Sequence, residues 1–78
     1  MTDPIPPLIE SSIEIAWDYL SRTGELGDAT AAGRFLSDTI ELMVRRGERR
    51  RLMLANKAIA AYQQFRRQQS QHVVLASA

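Results

Sequence analysis

Arg45-Arg46-Gly47-Glu48-Arg49-Arg50-Arg51 puts five arginines into seven residues. The guanidinium group is planar, always charged and rich in donors, so such a run is chemically suited to carboxylate or phosphate. Arg45 and Arg46 have a local explanation if a helix ends there, because cations complement the negative end of a helix. Arg49, Arg50 and Arg51 would fall in the first turn of the following helix, where positive charge is unfavourable, and so they require an anion nearby. Glu10, Glu14 and Asp18 recur at helical spacing and could supply it, within one chain or its dimer. Nucleic acid is the second source, and solvent or another protein's acidic surface the third.

Other chemically able residues are thinner. The row Glu10, Glu14, Asp18 could hold a metal or act as an acid/base pair, but no histidine lies beside it at helical spacing, and a solvated or salt-bridged face explains it. The single histidine, His72, has no carboxylate fixed near it. Lys57 follows an apolar stretch, and the plainer account is a solvated lysine opposite the apolar rows. None of Gly24, Gly27, Gly33 or Gly47 precedes a Lys-Ser/Thr pair, so there is no phosphate loop. With no cysteine, the usual zinc sites lack ligands. The expectation is a protein that is not an enzyme, with no catalytic residues, no metal and no cofactor.

The formal net charge of +1 conceals a split. Residues 1–41 hold eight carboxylates against two arginines, a net −6, whereas residues 42–78 hold eight bases against Glu48 alone, a net +7. Either the halves face each other or the basic half meets an acidic partner. The bases do not alternate with exposed aromatics as a single-strand stacking surface requires. No apolar run approaches the roughly 20 residues needed to span a bilayer, and a basic amphipathic membrane helix would want a Trp that the third segment lacks. Met1-Thr2-Asp3-Pro4 lacks the positive start of a signal peptide. A cytoplasmic protein without membrane attachment is expected.

Three elements must position these groups. Proline at the first helical position predicts a helix from about Pro7 to Arg22. Ile9, Ile13, Ala16, Trp17 and Leu20 mark its inner face, and Leu8, Ile15 and Tyr19 lie off it. That surface is wider than one neighbour covers, so it needs two neighbours or a second chain. Gly24 ends the helix and Asp28 caps the next, from about Ala29 to Arg46, with Ala29, Ala32, Leu36, Ile40 and Met43 inward. Gly33 within it suggests a close crossing by another helix. A third helix runs from about Glu48 to Gln69, with Leu52, Ala55, Ile59 and Tyr62 in one row and Leu54, Ala58, Ala61 and Phe65 in another. On one continuous helix the inner faces before and after Gly47 would be out of phase by roughly 100°, which favours a hairpin at Gly47 over a single long helix.

Ala16-Trp17-x-x-Leu20, Gly27-Asp28 and Ala32 resemble the first half of a tetratricopeptide repeat, and Ala58-Ile59-x-x-Tyr62 resembles part of its second helix. The alanines are too close for that repeat's period, so the likeness supports helix-turn-helix packing and assigns no family.

The expectation is an all-α, three-helix antiparallel arrangement, completed as a homodimeric helical bundle because a chain of 78 residues buries little core alone. Residues 1–6 form an extended lead, 7–69 a single helical domain and 70–78 a frayed tail. Ile13, Trp17, Leu20, Leu36, Ile40, Ile59 and Tyr62 belong to the core or the dimer interface. Arg45, Arg46, Arg49, Arg50 and Arg51 bind a partner or anion. The expected role is an interaction or regulatory module, with a nucleic-acid-associated protein as the alternative.

Overall fold

The computed structural model describes residues 5–77, and the side chains of residues 6–69. Three helices, α1 (Ile5–Arg22), α2 (Ala29–Arg45) and α3 (Arg51–Ser77), follow one another, and each packs against both others.

The breaks between them arise from the same device used twice. After α1, Gly24 takes φ +74°, its N–H donates to the Ser21 carbonyl (3.3 Å), and the Glu25 N–H reaches back to Leu20 (2.9 Å). After α2, Gly47 takes φ +106°, its N–H donates to Val44 (3.0 Å), and the Glu48 N–H reaches Met43 (3.0 Å). Both are Schellman motifs, in which a left-handed residue turns the chain away while the last carbonyls keep partners. Asp28 restarts the chain as α2: its carboxylate accepts from the Ala31 N–H at 3.2 Å. The hairpin expected at Gly47 is present, with a connection over residues 46–50 rather than one or two residues.

The buried lines advance in steps of four: Leu8, Ser12, Ala16, Leu20 on α1; Ala32, Leu36, Ile40, Val44 on α2; Leu54, Ala58, Tyr62 on α3, with Ala55 beside the last. Ser12 and Ala16 at the middle of the α1 line and Ala58 at the middle of the α3 line leave room for Leu36 and Ile40 of α2. On α1 this corrects the expected face by one position. Leu8 is buried, and Ile9, Ile13 and Trp17 are half-buried residues packed against the core. Ser12 lies fully buried in that line, and its hydroxyl is satisfied by donating to the Leu8 carbonyl at 2.8 Å. α2 and α3 together cover much of α1's apolar surface within one chain, while Tyr19 stays exposed. Of the other expected core residues, Leu20, Leu36, Ile40 and Tyr62 are buried and Ile59 is half-buried. Leu52, expected in a core row, is 66% exposed in the first turn of α3, and the buried line begins at Leu54 and Ala55.

The end of the bundle at the first turn is tied to α3. Tyr62 Oη donates to the Leu26 carbonyl, Gln63 Nε2 to both Glu25 carboxylate oxygens (3.1 Å each), and Arg66 Nη1 to the Glu25 carbonyl. Phe35 of α2 stacks on Phe65 of α3 with ring centroids 4.8 Å apart. α3 continues as helix through Ser77, past the expected boundary at Gln69, because no Gly or Pro interrupts its sequence. The lead over residues 1–6 lies largely outside the described residues, as do the side chains of the expected tail over residues 70–78.

Candidate functional site, a basic groove at the second turn

The turn between α2 and α3 carries an open groove of about 740 Å³, lined by Met43, Arg46, Gly47, Glu48, Arg49, Arg50 and Lys57. Three of the five arginines singled out in the sequence thus meet in one place. Arg45 ends α2 and Arg51 begins α3, and neither lines the groove. Lys57 does: it is exposed, as a solvated lysine would be, and it lies six positions after the start of α3 on the wall of the groove.

The arginines divide into those that build the turn and those that face outward. Arg49 Nη1 donates to the Val44 carbonyl (2.5 Å) and to the Glu48 carbonyl (3.0 Å). It is therefore the cation that closes the C-terminal end of α2, the task expected of Arg45 and Arg46. Glu48 organises the rest. Its carboxylate accepts from the backbone N–H of Arg49 (3.2 Å) and Arg50 (3.0 Å), and from Arg50 Nε (3.0 Å) and Nη2 (3.2 Å). The Arg50 guanidinium, followed by the Arg50 backbone N–H, holds the Glu48 carboxyl at about 2, down from 4.5. The same contact raises Arg50 above its ordinary value.

The acid paired with Arg50 is thus its near neighbour. Glu10, Glu14 and Asp18, the expected source, are exposed, and Asp18 pairs with Arg22 at 3.1 Å. A sequence signal for the local pairing existed: Glu48 is the lone acid in the basic half. What remains is Arg46 and Lys57, exposed residues on one groove whose side chains make no hydrogen bond or ion pair among the described residues. Counted over its lining, the groove carries four cations and one committed carboxylate. Its chemistry is electrostatic attraction and hydrogen-bond donation to an oxyanion.

A second, more apolar groove of about 420 Å³ lies between α2 and α3, with Phe35 and Phe65 at its floor and Asp28, Arg34 and Asp38 around it. Among the described residues no group of His, Asp and Glu is arranged to hold a metal ion, and His72 falls outside those with described side chains. No helix is long and apolar enough, over the described residues, to cross a membrane. Comparison with protein-family models, with curated proteins and with solved structures finds no match to the chain.

Proposed function

We propose that the protein is a small non-enzymatic helical interaction module that engages an acidic segment of a partner protein through the basic groove at the second turn. One observation carries this reading: Arg46 and Lys57 face the groove unpaired, while Glu48, the groove's carboxylate, is spent on Arg50 and two backbone N–H groups. A surface so arranged attracts anions without competing for them itself. The nucleic-acid alternative draws on the same cations, but they are gathered at a single turn rather than spread along a face that could track successive phosphates.

Titration of the intact protein with a poly-glutamate peptide and, separately, with duplex DNA at low salt tests the proposal. Peptide binding that weakens with salt and is lost in Arg46→Ala/Lys57→Ala supports it. Peptide binding unchanged in that variant, or DNA binding alone, removes it.

The homodimer expected from chain length is a second level of the proposal. Among the described residues, Tyr19, Leu42 and Leu52, exposed by 46, 47 and 66%, are the large apolar side chains offered to a second copy.

A further inference from the structure

We propose that the groove recognises a phosphomonoester, presented on a phosphorylated residue of the partner segment, with Arg46 and Lys57 as its two ligating cations. The inference deepens the reading above and rests on it, since it names the anion the partner brings.

The argument is one of charge and occupancy. Of the four cations on the groove, Arg49 is engaged with the carbonyls that end α2, and Arg50 is held by Glu48. Two positive charges are left unpaired, on two different elements: Arg46 just after α2 and Lys57 within α3. One carboxylate brings a single negative charge, so an acidic segment must order two side chains to match both cations. A phosphomonoester carries about −1.5 to −2 at pH 7 and three acceptor oxygens, enough to meet a guanidinium and an ammonium together. A phosphodiester of nucleic acid brings a single charge per phosphate and gains by contacting many in series, which a groove at one turn does not offer.

The turn is also prepared for such a guest. Arg49 is held by the carbonyls of its own turn, so its charge raises the local potential without having to be ordered on binding. The Glu48 carboxylate accepts from Arg50 and from the N–H groups of residues 49 and 50, so its acceptor capacity is taken up within the turn. The groove is open and far larger than one phosphate group, as recognition of a modified side chain on an extended segment requires.

The test uses the full chain and three short Gly/Glu-rich peptides that differ only at a central residue: serine, glutamate or phosphoserine. Calorimetric or fluorescence titration at one ionic strength is expected to show the phosphoserine peptide binding at least about tenfold more tightly than the glutamate peptide. That advantage should fall away below about pH 6, where the phosphate takes up its second proton, while the glutamate peptide shows no such step at that pH. Lys57→Gln and Arg46→Gln, each checked for an unchanged helical melting curve, should each remove about tenfold from the phosphoserine peptide. Equal affinities for the glutamate and phosphoserine peptides overturn the inference and leave the acidic-partner reading standing. No binding of any peptide overturns both. Tighter binding of an oligonucleotide than of the phosphoserine peptide overturns both in favour of nucleic acid.

Discussion

Glu48 is the residue on which the second turn depends. This one carboxylate, the lone acid of the basic half, organises the backbone of residues 48–50 and the side chain of Arg50. Its carboxyl titrates lower in the folded protein, about 2, than its ordinary 4.5. A carboxyl depressed on folding contributes stability that is fully present above the unfolded value and is lost as pH falls through the folded one. Stability should therefore decline between about pH 4.5 and 2 through this group. Carboxyl-carbon NMR titration should place the Glu48 midpoint near 2, and Arg50→Ala should move it upward; a midpoint near 4.5 in the unaltered protein would contradict the pairing. At this scale the sequence was partly readable. The cluster was conspicuous, but the roles of its members were not, because whether an arginine caps a carbonyl, pairs with an acid or faces solvent depends on a turn geometry that residue types alone do not specify.

At the scale of elements, two glycines separate two kinds of constraint. Gly47 sits at φ +106°, where a side chain is strained, although nothing lies within 4 Å of where a Cβ would be. Gly33 lies within α2, and a Cβ there would meet Trp17 Cζ3 at 3.6 Å, an ordinary contact. The close helix crossing expected at Gly33 is thus an approach by one side chain. Gly33→Ala should stabilise the protein by about 0.5–1 kcal/mol through helix propensity and a less flexible unfolded chain. Gly47→Ala should destabilise it by about 1–2 kcal/mol. Urea denaturation of the two variants checks both, and a common sign would refute the distinction. Helix ends were legible because Gly24, Asp28 and Gly47 each announce a cap. The inner face of α1 was less so. A buried serine does not register as apolar, and its place in the line shows only once its hydroxyl has found the Leu8 carbonyl.

For the whole molecule, the three-helix class could be read from periodicity, while the need for a partner chain could not. The expectation of a homodimer rests on length and on the breadth of α1, and two neighbours in the same chain cover that breadth except at Tyr19. Leu8, Leu20, Leu36, Ile40 and Leu54 are closed from solvent by one chain alone. The proposed self-association would draw on Tyr19, Leu42 and Leu52 among the described residues, and sedimentation equilibrium at micromolar concentration is the measurement that bears on it. Twice the chain mass, reduced to one by Leu52→Glu, supports the dimer; a single-chain mass throughout dismisses it.

The two turns also differ in what holds them. The first is gripped from α3 by residues 36 to 41 positions away, whereas the bonds that shape the second, among those described, come from within five positions. A break in the backbone between Arg45 and Arg51 thus severs local bonds and spares those joining Tyr62, Gln63 and Arg66 to the distant turn. The chain is divisible there into a two-helix piece and a one-helix piece that share the long-range bonds between them, a design suited to reassembly from fragments, with the basic groove lying across the seam.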